Sequence, residues 1–362
     1  MIIPLYATSI NQVATRLTEL RAQSGVAALA RHLTLLIECA PADMENSIQA
    51  ARAATMGHPG RVVVVTAEAP DSHPAMDAQI RVGSDSGSGE LIVLRLVGMP
   101  AEHLDAVVTP LLVPDTPVAV WWPSQRPETP ATSTLGALAS RRITDAREAP
   151  EATVALKQLT AGYTPGDTDL CWARLTPWRA MLVAALKGAH SAGTTADPTP
   201  GVTIQTEPDL AASVNPEAEA NLADTGTGSY GSAPSPPTND AAIPGANAIT
   251  SAVVSGPGSV SADLMAAWIG STLRVPVRRR EGITGALSAV ELNFSGGGRL
   301  LLDKEHTQAG VVLRLTGQPD QHLVLSRRST PECLAEELRR LGPDQTYDQL
   351  VTEALPRYCS EM

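Results

Sequence analysis

Short apolar runs alternate with amphipathic stretches through the first half of the chain, and the alternation sets the expected architecture. A helix is expected over Ile10–Gln23, with Val13, Leu17 and Leu20 on one face and Gly25 as its stop. Leu33–Cys39 reads as a buried strand. A second helix begins at Asp43 and runs to Met56, with Glu45 in the first turn favouring the helix dipole. Arg61–Thr66 follows, too short and too β-branched for a helix. Strands near Asp77–Val82 and Leu91–Val97 flank the turn-rich run Gly83–Gly89. A helix over Ala101–Leu112 leads into the strand Val118–Trp122. Strands alternating with helices in this way argue for a layered α/β domain with a mostly parallel sheet.

The stretch Asp169–Leu186 carries two tryptophans, two arginines and the dipeptide Thr176-Pro177. Pro177 suits a first helical position and Thr176 suits the cap before it. Trp178, Leu182 and Leu186 then recur at helical spacing, and Gly188 offers a stop. Beyond it the pattern collapses. Residues 194–258 are dense in Pro, Gly, Ser, Thr and Asn, and 208–258 reads as a disordered insertion that cannot bury enough apolar area to fold. One apolar island, Val202–Ile204, reads as a short strand within 202–206.

Order resumes with a helix capped by Ser261. Four alternating runs follow: Leu287–Phe294, Arg299–Asp303, Val311–Leu315 and His322–Ser326. Ser295–Gly298 is the hairpin turn between the first two. Two helices close the chain, one begun by Thr330-Pro331-Glu332 and striped by Leu334, Leu338 and Leu341, the other carrying Tyr347, Leu350, Val351 and Leu355. The expected organisation is an N-terminal α/β domain over 1–192, an acidic linker over 193–260, and a smaller C-terminal α+β domain with an antiparallel sheet over 261–362.

Composition narrows the choice. Aromatics are 3% of residues with one phenylalanine, so Val, Leu, Ile and Ala must build the cores. The net charge is −11, and no Lys or Arg lies between Gly188 and Leu273. With no evident basic face on a folded part, nucleic acid is not an expected partner. No stretch approaches the length of a membrane span, and the amino terminus lacks the features of a signal peptide. Cys39, Cys171, Cys333 and Cys359 show no metal-like spacing. Cys39 reads as a buried small hydrophobe and Cys359 as an exposed thiol, and the chain reads as cytoplasmic.

No nucleophile elbow, Walker loop, H-E-x-x-H or dinucleotide glycine motif occurs in its required context, so no cofactor and no metal are expected. The most site-like histidine is His58, in the loop before a strand, where it equally serves as a helix-end charge. What remains is tryptophan and arginine. Trp121 and Trp122 end a strand and point to opposite faces, one to the core and the other toward a strand-end crevice. Arg141 and Arg142, followed by Asp145 and placed after a short helix, fit a sugar phosphate, a partner's carboxylates or a helix end. Trp172, Arg174, Trp178 and Arg179 fit a core helix or a recognition surface. Arg278–Arg280 reads as the guard of an edge strand.

The segments VAVWWP, LGALASRRITDA, DLCWARLTPWRAMLVAAL and AEELRRLGPDQTYDQLV resemble hallmark segments of the glucose-6-phosphate dehydrogenase assembly protein family, OpcA. LARHLTLLIE, HPGRVVVV, SGELIVLRL and PLLVPDTPV resemble it in the same order. The resemblance implies a non-catalytic protein of the oxidative pentose phosphate pathway that binds the dehydrogenase and favours its active oligomer. On that basis Trp121, Trp122, Arg141, Arg142, Asp145, Trp172, Arg174, Trp178 and Arg179 are the expected partner-binding set. The competing expectation is a sugar-phosphate binder or lactone hydrolase using the crevice beyond Trp121 and Trp122.

Overall fold

The computed structural model describes residues 1–24, 33–57, 60–68, 75–83, 86, 89–192, 248–282, 287–304 and 310–361. The expected stop at Gly25, the His58 loop, most of the Gly83–Gly89 turn and the strand at 202–206 lie outside or largely outside them. The chain divides into two compact units, the first comprising Met1–Arg174, Pro257–Thr272 and Arg327–Met362, the second Leu175–Gly256 and Leu273–Ser326.

An eight-stranded sheet organises the first unit. Its strands are β1 (Ile2–Leu5), β2 (Leu33–Glu38), β3 (Gly60–Glu68), β4 (Ala75–Arg81), β5 (Glu90–Val97), β6 (Val118–Trp122), β7 (Arg141–Thr144) and β8 (Asp167–Asp169). They lie in the order β1-β4-β5-β3-β2-β6-β7-β8. Every pairing from β5 to β8 is parallel, whereas β4 is antiparallel to both β1 and β5. Followed along the chain, the parallel strands wind outward from β2 through β3 to β5, then return to the other side of β2 and wind outward again. This is a doubly wound sheet with the strand order of dinucleotide-binding folds.

Alternation along each strand explains why both faces are covered. Leu36, Val63, Val65, Ile92, Leu94, Val120 and Trp122 pack on one side with Val13, Leu17 and Leu20 of helix α1 (Ile10–Ser24). Leu35, Ile37, Val62, Val64, Leu91, Val93, Trp121 and Ile143 pack on the other with Ile48 and Ala51 of α2 (Met44–Ala54). The expected helix over 101–112 is instead two short helices, α3 (Met99–Glu102) and α4 (Leu104–Val108), and a 3-10 turn over Thr109–Leu111. His103 leaves helical geometry at φ −125°, and Pro110 has no N–H to continue the ladder.

Two elements differ more deeply from expectation. Helix α5 (Ala152–Ala161) precedes β8, and helix α6 starts at Leu170, not after Thr176, and runs to Ala192. Asp169 fixes that start, its carboxylate accepting from the Cys171 backbone N–H at 2.9 Å. Pro177 is therefore an interior helix residue, where a missing hydrogen bond and a ring clash cost about 3 kcal/mol. Pro177→Ala is expected to raise folding stability by about 2 kcal/mol, after allowing for the looser unfolded chain, as read from the urea midpoint. An unchanged or lowered midpoint would show that the proline fits without strain.

The second unit is built on a six-stranded sheet in the order β10-β9-β11-β12-β13-β14. Its strands are β9 (Ile249–Ser255), β10 (Val277–Arg280), β11 (Ala289–Phe294), β12 (Arg299–Lys304), β13 (Gly310–Leu315) and β14 (Gln321–Val324). All pairings are antiparallel except β9 with β10, which helix α7 (Val260–Leu273) separates along the chain. Strand β9 falls inside the stretch read as disordered, because its Ser/Thr/Ala composition hides the alternation of buried Ala252 and Val254. The Ser295–Gly298 turn forms as expected, with Gly297 at φ +77° where a side chain would be strained.

The closing helices are α8 (Thr330–Arg339), α9 (Gln345–Gln349) and α10 (Leu355–Glu361), with a π-turn over Leu350–Ala354. They group with the first unit and not with the antiparallel sheet. The reason is the apolar stripe of α8, whose Cys333, Leu334 and Leu338 join the core beneath β2, β3 and β6. Ser329 and Glu332 form the capping box that starts it.

Candidate functional site

In a doubly wound sheet the ligand crevice opens at the carboxyl ends of the strands where the winding reverses, here between β2 and β6. Glu38 ends β2 and Trp122 ends β6, and the indole Nε1 donates to the Glu38 carboxylate at 2.8 Å. Just beyond, the Ser124 hydroxyl donates to Asp43 at 2.6 Å. The reversal point is thus bridged by side chains. The connection leaving β2, Cys39-Ala40-Pro41-Ala42-Asp43, holds no glycine, and Pro41 opens a 3-10 turn. A dinucleotide pyrophosphate needs glycines that let backbone approach it, so these residues do not fit that cofactor.

The next two strand ends form a denser knot. Asp169, fully buried at the end of β8, accepts from the Thr144 hydroxyl at 2.6 Å and from the Ala146 and Cys171 backbone N–H groups at 3.0 and 2.9 Å. Burial raises its pKa, the neighbouring Asp145 adds to the rise, and these three hydrogen bonds oppose it. Asp145 receives both terminal nitrogens of Arg174 at 2.7 Å, a bidentate pair. Burial works against the Arg174 charge, but the hydrogen bond and charge of Asp145 outweigh it and hold the guanidinium above its ordinary value.

Asp145, Asp169 and Cys171 offer donor atoms within 4.8 Å of one another, the one such triad among the described residues. The chemistry does not suit a metal. Arg174 already supplies the cation, and burial beside two carboxylates drives the Cys171 thiol well above its usual value, away from the thiolate a metal needs.

The paired arginines point to opposite faces of β7 and into the protein. The sequence suggests a loop for Arg141–Asp145, but Arg141–Thr144 is an interior strand. Arg141, with no exposed surface, pairs with Glu337 of α8 and donates to the Gly342 carbonyl at 3.0 Å. Arg142 pairs with Asp167 and donates to the carbonyls of Ala139 and Pro165 at 2.8 and 2.7 Å. Arg61 is used in the same way, paired with Glu90, which also binds Arg21.

The tryptophans follow suit. Trp121 and Trp122 are both core, on opposite faces of the sheet. Trp172 is buried, its indole donating to Asp344 at 2.9 Å and its ring 5.8 Å from that of Tyr347. Trp178 and Arg179 are 7% and 3% exposed, and Arg179 donates to Thr176 at 3.1 Å. The nine residues expected to bind a partner are thus buried or turned to partners inside the protein, Trp121 and Trp122 both included. The first unit uses Trp121, Trp122, Arg141, Arg142, Asp145, Trp172 and Arg174 as interior partners, and Trp178 and Arg179 are buried in the chain. Sequence reasoning missed Glu38, Asp43, Ser124, Asp169, Glu337 and Asp344, the polar residues that complete these contacts. Apart from Glu337, which lies inside α8, the available signal was their place at or just beyond strand ends or before helices.

Two described histidines, His103 and His322, are exposed. Burial pushes the Cys39 and Cys333 thiols up to about 11. Among the described residues, no helix is long and apolar enough to cross a membrane.

Fold and strand ends together define a class: a doubly wound α/β protein whose strand-end polar groups are tied to one another, followed along the chain by an antiparallel sheet. Residues 51–161 match the N-terminal domain of a family described as the glucose-6-phosphate dehydrogenase subunit, and residues 239–351 match the C-terminal domain of the same family. The two spans cover more than half of the chain, which belongs to the glucose-6-phosphate dehydrogenase assembly family, OpcA. No curated protein matches the chain.

Proposed function

We propose that this protein binds glucose-6-phosphate dehydrogenase and favours its active oligomer, without itself transforming a metabolite, in the cytoplasmic oxidative pentose phosphate pathway. The observation that carries the reading is the pair of family matches, each described as a domain of a dehydrogenase subunit. The strand ends support it. Their carboxylates, arginines and indoles engage one another, so that Glu38 holds Trp122 and Asp145 holds Arg174. The sugar-phosphate reading needs those arginines free, and their internal pairing weighs against it.

An activator must bind the active state of its partner more tightly than the inactive one. Dehydrogenase rates measured across glucose 6-phosphate concentrations are expected to show a higher kcat or a lower KM when this protein is added. Sizing of the mixture should show a larger assembly than either component alone. Unchanged kinetics and separate elution would defeat the reading, as would turnover of a sugar phosphate by this protein alone.

A further inference from the structure

Three arginines of the antiparallel sheet are deployed unlike the buried arginines of the first unit, and unlike Arg314 on the same sheet, which is held by Asp303 and Asp320 at 2.8 and 3.0 Å. Strand register places Arg278 beside Val253 and Glu291, Arg280 beside Ser255 and Ala289, and Arg299 beside Asn293. Directly paired residues share a face, so these side chains stand together on one side of the sheet. Ala252, Val254, Val290, Leu292, Leu300 and Leu302 point to the other side and are buried. Arg279, between the two face arginines, turns that way and donates to the Val254 carbonyl.

Arg61, Arg141, Arg142 and Arg174 are each locked on a carboxylate at hydrogen-bonding distance. On the sheet face Arg280 and Arg299 are 63% and 52% exposed and share one carboxylate, Glu291, at 4.0 and 3.9 Å. Those separations are beyond a hydrogen bond. Arg278 is exposed too. Between the arginines the face carries the small or short side chains of Ser251, Val253, Ser255 and Ala289 with Glu291, Asn293 and Leu301, and Asp303 stands beside Ala289, paired with Arg314. From β10 to β12 it spans about 14 Å, three inter-strand spacings. A face on which arginines (Arg278, Arg280, Arg299 and Arg314) outnumber carboxylates (Glu291 and Asp303), on a chain of net charge −11, runs against the overall balance. It also lies wholly within the span matching the C-terminal domain of the dehydrogenase-subunit family.

We infer that this face, with Arg278, Arg280 and Arg299 as its charged contacts, is where an acidic surface of the dehydrogenase docks. The inference rests on the assembly reading above and adds the surface and its chemistry. Three exposed guanidiniums complement carboxylates, whose approach they steer. Guarding β10 against strand pairing accounts for Arg278 and Arg280 but not for Arg299, which lies on an interior strand of the sheet.

The test uses the full chain and purified dehydrogenase, with affinity measured by calorimetry. The triple variant R278E/R280E/R299E is expected to bind about 100-fold more weakly while its thermal melt stays unchanged. Glu291→Gln, which removes the competing carboxylate, is expected to bind about threefold more tightly. Wild-type affinity should fall by about tenfold between roughly 50 and 300 mM salt. Lys157→Glu, an exposed charge change on α5, should leave affinity unaltered.

A folded triple variant that binds within about twofold of wild type overturns the inference and leaves the assembly reading intact. Absence of binding by the unaltered chain overturns both. Capture of a single-stranded oligonucleotide by this face, with dehydrogenase binding indifferent to the triple change, assigns the face to nucleic acid and likewise overturns the inference.

Discussion

Replacing Arg141 with methionine is expected to destabilise the first unit by about 3–5 kcal/mol, because it leaves a buried carboxylate without its counterion. Arg141 has no exposed surface and Glu337 is 4% exposed. The pair joins β7 to α8 across a long separation in sequence, and the same guanidinium holds the Gly342 carbonyl just beyond that helix. A further nitrogen, Nε, is buried with no hydrogen-bond partner, so the ion pair is imperfectly satisfied. Removing both charges should therefore be far milder than removing one. The double variant R141M/E337M is expected to recover most of the loss, as buried pairs replaced by apolar residues of similar size usually do. Urea midpoints of the two single variants and the double give the coupling directly. A cost below about 1 kcal/mol for Arg141→Met would mean that water, and not Arg141, solvates Glu337.

The contrast with the sheet-face arginines separates folding from docking. Arg141→Met should weaken dehydrogenase binding only in proportion to the unfolded fraction, so the effect should vanish on cooling or on adding a stabilising osmolyte. The triple change on the sheet should act at every temperature without shifting the melt. Sequence alone could not make that distinction. Arginines look alike in a string of letters, and Arg141 and Arg142 stand out there only because they are adjacent. Adjacent residues on a strand point apart, and both of these point inward.

What was legible followed from periodicity. The buried strands Leu33–Glu38, Gly60–Glu68 and Val118–Trp122 are apolar and β-branched enough to have no alternative, and they form the centre of the parallel sheet. The mixed layering of helix and strand, and the antiparallel sheet near the carboxyl end, were readable for the same reason. What escaped was carried by polar strands. Arg-Arg-Ile-Thr and Asp-Thr-Asp become β7 and β8 because their charges meet partners inside the protein, a fact about distant residues that local pattern does not contain. The grouping of the last helices with the first unit escaped too, since an amphipathic stripe states that a face is buried but not against what.

Trp172→Ala is expected to cost about 3–5 kcal/mol, the range for deleting a large buried aromatic. The indole sits between two elements. Its ring lies 5.8 Å from Tyr347, which meets Tyr163 edge-on at 6.0 Å, and its N–H donates to Asp344. Asp344 performs two tasks with one side chain. Oδ2 accepts from the indole, while Oδ1 accepts from the Thr346 and Tyr347 backbone N–H groups at 3.0 Å each, capping α9. Losing the ring contact to Tyr347 together with the donor to Asp344 loosens both the packing and the cap, so the damage should spread to α9 and α10. Trp172→Phe keeps the ring contact and loses the donor, and about 1 kcal/mol is expected for it. Hydrogen exchange should report the difference: in Trp172→Ala the amides of 345–361 open together, whereas in Trp172→Phe they stay protected. If Trp172→Ala instead kept its full stability and lost only dehydrogenase binding, the tryptophan would be a docking anchor after all. Its burial would then have to be relieved when the partner arrives.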